Sequence, residues 1–231
     1  MGKISFILLE AGLELIPDKM KGFPSVRSTS KRRRKPPRSI LLDKSLHYKD
    51  MLKAKLDNVE KRGRPDIVHI VLLNLTGSIL NKKGLIGDIY VHTVNNQIIR
   101  VDPSTRIPRN YNRFTGLMEQ LLEKGRVPPD SPKPLIEVVP RSLGEIVDSY
   151  DRFIVFEKGC KKITGKDVEE MKHWLRGNIL LGVGGFPQGW IRKDIMEQAD
   201  ECYAIYDYGL DSWTVFNTIV CIIESRALNL L

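Results

Sequence analysis

Long hydrophobic runs are missing from this chain. No stretch of its 231 residues reaches the ~18 uncharged apolar residues that a membrane span needs. The opening apolar run, residues 4–9, is broken at once by Glu10 and Glu14, which argues against a signal peptide. Cysteine is scarce: Cys160, Cys202 and Cys221 are an odd number at wide spacings. They match neither a disulfide framework nor a zinc pattern, and so point to a reducing compartment. Histidine is scattered over positions 47, 69, 92 and 173, and no Ser-His-Asp, HExxH or CxxC arrangement is present. Hydrolytic chemistry and a metal centre therefore find no support. No internal repeat is found. The 42% hydrophobic content still suffices for a sizeable core, which excludes wholesale disorder. The length suits one large α/β domain or two small ones.

Acidic residues are absent between Asp18 and Asp43, where Lys19, Lys21, Arg27, Lys31, Arg32, Arg33, Arg34, Lys35 and Arg38 supply nine positive charges. The whole chain has 37 Lys+Arg against 28 Asp+Glu, a net +9, so this segment equals the entire excess. Pro24, Pro36, Pro37 and several serines make residues 19–42 read as a flexible loop. Such a block repels itself and suits a polyanion surface. As a nucleic-acid arm it would bind phosphates without sequence preference and with strong salt sensitivity. A solvated loop, or a nuclear-import signal over 31–35, are the alternatives.

The remaining pattern alternates between strand and helix. Residues 4–9 read as a strand, and Ser45 as the cap of a helix carrying Leu46, Met51, Leu52 and Leu56. Residues 67–75 form a continuous apolar run, expected as a strand buried on both faces, with His69 a satisfied core residue. Residues 86–94 and 97–101 flank Asn95-Asn96, a tight hairpin. Asn110 can cap a helix whose Phe114, Leu117, Met118, Leu121 and Leu122 share one face. A proline-rich connector (Pro128, Pro129, Pro132, Pro134) follows. Beyond it, strands at 135–139, 153–156, 179–183 and 202–206 alternate with helices at 166–175, 192–199 and 213–228. Ser142 to Glu145 is a capping box opening a short helix. This order predicts an α/β fold with a mainly parallel sheet and helices on both faces. Ligands in such sheets sit beyond the strands' C-terminal ends. That puts residues 157–159, 184–189 and 207–212 on one rim.

Three constellations stand out. Arg106, Arg109 and Arg113 fall at a loop-to-helix junction stiffened by Pro103 and Pro108, with Tyr111 among them as a stacking face. Helix N-termini attract phosphate, and arginine adds bidentate contacts. Only Asp102 is near enough in sequence to neutralise one of them. Arg64-Pro65-Asp66 precedes the apolar run; Asp66 can orient Arg64 or act as a base, and on spacing alone the pair is a surface ion pair. Gly182-Val183-Gly184-Gly185-Phe186-Pro187-Gln188-Gly189 allows close backbone approach to a ligand, but lacks the Lys-Ser/Thr of a phosphate loop.

These residues resemble a known family. Arg64-Pro65-Asp66-Ile67-Val68-His69, Arg106-Ile107-Pro108-Arg109, and Arg113-Phe114-Thr115-Gly116-Leu117-Met118 are similar to the ribosome-biogenesis pseudouridine N1-methyltransferases of the SPOUT (α/β-knot) class. Leu8 to Leu15 and Ile40 to Asp43 match as well, and the likeness spans essentially the whole chain. It implies one SPOUT domain over 1–231, with a deep trefoil knot and the cofactor-binding half in 135–231. It implies S-adenosylmethionine as cofactor, a homodimer, and a pseudouridine of small-subunit ribosomal RNA as substrate, met in a pre-ribosomal particle. No membrane partner is expected. The compartment implied is the cytoplasm, or the nucleolus in a eukaryote.

Carried over by residue, Arg64 is an RNA-contacting arginine and Asp66 the aspartate that positions it. Arg106, Arg109 and Arg113 bind rRNA. Gly184 and Gly189 belong to the cofactor loop. Ile205, Tyr206, Asp207, Tyr208, Gly209 and Leu210 fall where the last cofactor loop lies, although they depart there from the family's commoner Ser/Pro-containing pattern. Residues 157–159 match the first knot loop more loosely. The expected chemistry places pseudouridine N1 in line with the sulfonium methyl, largely by positioning, with Arg64 stabilising charge on a flipped-out ring. An aspartate paired with arginine is a poor proton acceptor, so Asp66 is assigned an orienting role first and a base second. Rival readings are a non-catalytic rRNA-binding assembly factor, a SPOUT-class tRNA methyltransferase, and an oxidoreductase, which lacks a first-strand glycine fingerprint.

Overall fold

The computed structural model describes residues 2–228; Met1 and 229–231 lie outside the described residues. The chain runs through β1 (Ile4–Ala11), α1 (Pro24–Arg33), α2 (Lys44–Lys53), α3 (Pro65–Gly77), α4 (Ile79–Lys82), β2 (Ile86–Thr93), β3 (Ile98–Val101) and α5 (Tyr111–Lys124). It continues with β4 (Arg126–Val127), β5 (Ile136–Val139), α6 (Leu143–Val147), β6 (Arg152–Lys162), α7 (Gly165–Met171), β7 (Ile179–Gly184), α8 (Lys193–Met196), β8 (Glu201–Ala204) and α9 (Ser212–Leu228).

The strands form one sheet in the order β4-β5-β3-β2-β1-β7-β6-β8. The pairs β1–β2, β1–β7, β6–β7 and β6–β8 are parallel, while β2–β3, β3–β5 and β4–β5 are antiparallel. The central strand β1 is buried along its whole length, as a parallel strand covered on both faces must be. Phe6 and Leu8 join a core with Val71, Met118 and Phe216 from α3, α5 and α9. Ile7 and Leu9 point the other way, to Leu143, Ile146 and Ile195 of α6 and α8. After the edge strand β8 the chain returns inward, and α9 packs on α3 and β7.

Several expectations need correction. Residues 67–75 are not a strand but lie within α3. An unbroken apolar run fits a helix buried all round as well as a strand, and Pro65 at the first helical position opens the helix. Its Ile67, Val68, Val71, Leu72 and Leu75 are all buried. His69 is a satisfied core residue, but on this helix: its Nε2 meets the Pro108 carbonyl oxygen at 2.7 Å and its ring stacks on Phe114. The basic segment 19–42 is not a flexible loop. It contains α1, with Pro24 in its first turn and Val26 and Thr29 buried. Arg33 and Lys35 both grip Glu119, a fully buried carboxylate on α5 that also accepts the Leu41 N–H. That docking contact, not local propensity, holds the segment. Asp43, not Ser45, caps α2, its carboxylate accepting the Ser45 N–H.

The cysteines also differ from expectation. Cys160 and Cys202, 42 residues apart, form a disulfide because β6 and β8 are neighbours in the sheet. The argument for a reducing compartment therefore falls. Cys221 is free and exposed.

Candidate cofactor cleft and arginine site

The C-terminal ends of β6, β7 and β8 open into a cleft of about 500 Å³. Its walls include Glu157 and Lys158 from β6, Phe186 and Gln188 after β7, and Thr214 and Val215 from the first turn of α9. Of the residues expected at a cofactor, Gly184, Gly189, Ile205, Tyr206, Tyr208, Gly209 and Leu210 all line it. Asp207 does not; it is exposed and pairs with Lys162 at 2.7 Å. The three loops are fastened by short-range contacts. Ser212 Oγ donates to the Gly184 carbonyl at 2.5 Å, and the Gly185 N–H donates to the Leu9 carbonyl at 2.6 Å. A Cβ at Gly185 would lie 2.7 Å from Leu8 Cγ and 2.9 Å from Ala11, so only glycine lets the loop reach β1. Glu157 accepts the N–H groups of Lys158 and Ile191, and burial pushes its carboxyl above the usual carboxylate range.

A second network, unsuspected from the sequence, lies behind this cleft. Lys61 is buried; it donates to Glu10 Oε1 at 2.8 Å and to the Trp190 carbonyl at 2.7 Å. Its ammonium also sits 4.4 Å from the Phe186 ring centroid, a favourable cation–π distance. Glu10, at the end of β1, has a left-handed φ of 51°, which non-glycine residues adopt only when their surroundings impose it. Its N–H donates to His92 Nδ1 and its Oε2 accepts the Arg192 N–H. One ion pair thus joins the end of β1, the 61–64 loop and the segment that follows β7.

The same loop presents Arg64. Its N–H donates to the Gly12 carbonyl at 2.9 Å, an approach that leaves no room for a side chain at Gly12. Arg64 Nε and Nη2 reach Asp66 Oδ1 and Oδ2 at 2.8 and 2.7 Å, a two-pronged fork. This hydrogen bonding to Asp66 first, and the fields of Asp211 and Asp43 besides, hold the guanidinium still more firmly protonated. Arg64, Asp66, Asp43 and Tyr111 line a recess of about 270 Å³. Tyr111 donates to Asp43 at 2.9 Å; burial, then Asp43, push its phenol far above the ordinary tyrosine range. It is therefore a half-buried strut rather than a free stacking face.

The 108–111 segment touches α3 through His69, and Tyr111, which lines the Arg64 recess, stands between Arg109 and Arg113 in the chain. Arg106 lies farther out, lining a separate recess with Pro108, Leu117 and Pro128. Arg106, Arg109 and Arg113 are exposed and make no ion pair among the described residues. Arg27, Lys31, Arg32, Arg34 and Arg38 on the docked basic segment are exposed as well.

The matched family model, EMG1/NEP1 methyltransferase, covers residues 6–224. The chain belongs to the EMG1/NEP1 methyltransferase family. Its relatives include the ribosomal RNA small subunit methyltransferase Nep1 of Staphylothermus marinus, 44% identical over 94% of this chain and 93% of that protein. The protein of the same name from Saccharolobus solfataricus is 42% identical over 92% of each chain. The crystal structure of Archaeoglobus fulgidus Nep1 bound to S-adenosylhomocysteine superposes with a TM-score of 0.86 at 37% identity, covering 99% of this chain and 100% of that one. The fold is accordingly the SPOUT fold. No helix among the described residues is long and apolar enough to cross a membrane.

For an EMG1/NEP1 member the cleft suits an adenosyl sulfonium. Ile205, Leu210 and Val215 offer aliphatic surface to a flat ring, and Glu157 offers acceptor oxygens to ribose hydroxyls. The glycine-bearing loop lets backbone groups approach closely.

Proposed function

We propose that this chain methylates N1 of a pseudouridine in small-subunit ribosomal RNA, with S-adenosylmethionine held in the cleft by the 184–189 and 205–210 loops and Glu157. The observation that carries this reading is the shared scaffold of cleft and arginine fork: Leu9 of β1 holds Gly185, and Gly12, just past the end of β1, holds Arg64. The bound sulfonium supplies an electrophilic methyl group; what the chain must add is position, charge and a path for one proton.

Arg64, fixed by Asp66, faces the developing negative charge of a flipped-out ring. Asp66 orients Arg64, since both its oxygens are occupied. Arg109 and Arg113, with Arg106 farther along, anchor flanking phosphates, and the exposed cations of α1 extend that surface. The chain acts as one SPOUT domain whose 135–231 half threads the knot. It works as a homodimer; the exposed Tyr206, Tyr208 and Leu210 are the apolar surface that a second copy would cover. Its setting is a pre-ribosomal particle in the cytoplasm.

Transfer of a labelled methyl group to a small-subunit hairpin containing pseudouridine tests this, with uridine hairpin and tRNA controls. Label in the pseudouridine hairpin alone is expected. Label in tRNA alone would favour a tRNA methyltransferase, and tight hairpin binding with no transfer would favour a non-catalytic assembly factor.

A further inference from the structure

The geometry points to Asp211 as the acceptor of the target pseudouridine's N1–H, so that it both recognises that base and takes its proton. This assignment rests on the methyl-transfer reading above. Methylation at N1 releases a proton, which needs an acceptor beside both the cleft and Arg64.

The other carboxylates nearby are engaged. Asp66 gives both oxygens to Arg64, and Asp43 gives Oδ1 to Ser45 and Oδ2 to Tyr111. Asp207 pairs with Lys162, and Glu157 is bound by two backbone N–H groups. Asp211 lines the cleft, is exposed, and makes no side-chain hydrogen bond or ion pair among the described residues. Its backbone is nevertheless fixed. Its carbonyl accepts the Thr214 and Val215 N–H groups, and the adjacent Ser212 is fastened to Gly184. A free carboxylate is thus held on a rigid backbone at the cleft mouth. Gly185 bonds Leu9 of β1, and Gly12, just past β1, accepts the Arg64 N–H, so the rim that carries Asp211 and the loop that carries Arg64 are tied to the same strand end. The other charged groups lining the cleft are Lys158, whose stem lies 3.4 Å from where a Cβ of Gly209 would stand, and Glu157.

The chemistry gives this carboxylate a discriminating task. Where pseudouridine presents N1–H, uridine presents a C–H, so an acceptor placed there gains a hydrogen bond from one isomer only. In the reactive step the N1–H bond breaks, an O–H bond forms at Asp211, and the electron pair stays on N1. Exposure of Asp211 lets the proton pass on to water.

The test compares wild type, Asp211→Ala and Asp211→Asn. Binding of a pseudouridine hairpin and its uridine counterpart is measured without cofactor, S-adenosylhomocysteine binding by calorimetry, and turnover against pH. Wild type should prefer the pseudouridine hairpin by about tenfold, the size of one hydrogen bond to a charged group. Asp211→Ala should lose that preference while binding S-adenosylhomocysteine normally. Asp211→Asn, which keeps an acceptor but takes no proton, should keep much of the preference and lose about 100-fold or more in kcat, recovering as rising pH ionises N1–H directly. Unchanged preference and turnover in both variants would overturn the assignment alone. Equal loss of affinity for both hairpins and for S-adenosylhomocysteine would mark Asp211 as structural and overturn it too. A wild type that neither prefers nor methylates pseudouridine would overturn the reading beneath it.

Discussion

Replacing Lys61 by Met keeps the aliphatic stem and removes the ammonium. Glu10 is then left with the Arg192 N–H at 2.9 Å and a guanidinium nitrogen only at 3.8 Å, in a position 2% exposed. Breaking one half of a buried ion pair costs about 3–5 kcal/mol, and the remaining Arg192 contacts should hold the loss near ~3 kcal/mol. In a chain of this size each kcal/mol moves Tm by about 2–4 °C, so the expected drop is about 6–12 °C. The Trp190 carbonyl loses its donor and Phe186 its cation, so the 184–190 segment should also be less ordered. S-adenosylhomocysteine affinity is expected to fall by about tenfold through that lost preorganisation. Thermal unfolding and calorimetry on the same samples read both effects. The double variant Lys61→Met/Glu10→Gln should regain part of the stability, since removing both partners costs less than stranding one. A Tm drop under about 2 °C with unchanged affinity would refute the idea that this pair holds the loop.

Arg109→Ala and Arg113→Ala should each weaken RNA binding and flatten its dependence on salt by about one unit of slope, with S-adenosylhomocysteine binding intact; an unchanged salt titration contradicts the phosphate role. Glu119→Ala strands Arg33 and Lys35, both partly solvated, together with the buried Leu41 N–H; a loss of about 2–3 kcal/mol and new proteolysis within 24–39 are expected, and an unaltered digest would contradict the docking argument. His47 and His92 accept backbone N–H groups through Nδ1, and burial lowers both below the ordinary histidine value of 6.5. The folded state therefore binds fewer protons than the unfolded chain, so their contribution is complete above pH 6.5 and is lost as pH falls below it. Tm should fall from pH 7 toward pH 5 (an approximate window set by the histidine reference value), less steeply in His92→Gln; identical slopes would contradict this.

The legible parts of the fold were those written in local chemistry. The Asn95-Asn96 turn, the Asn110 cap and the Ser142–Glu145 capping box each lie within four residues of what they organise, and all three occur as read. What local chemistry does not encode depends on distant partners. Only packing against β1, α5 and α9 tells a doubly buried strand from α3. The helix in the basic segment is held by Glu119, 86 residues from Arg33. Lys61 and Glu10, 51 residues apart, carried no motif, and neither did the 42-residue spacing of the disulfide. At the site, family likeness led to the cleft-lining residues, whereas spacing alone left Arg64 and Asp66 as an ordinary surface pair. Asp211 adjoins residues 205–210, and only the engagement of the neighbouring carboxylates Asp66, Asp43, Asp207 and Glu157 singles it out.

The central claim is that cleft and arginine fork serve one reaction at one atom. Nucleoside mass spectrometry of a hairpin methylated by this protein tests it most directly. The account predicts N1-methylpseudouridine as the only new nucleoside, dependent on Arg64; a methyl group on another base, or on the uridine control, would contradict it.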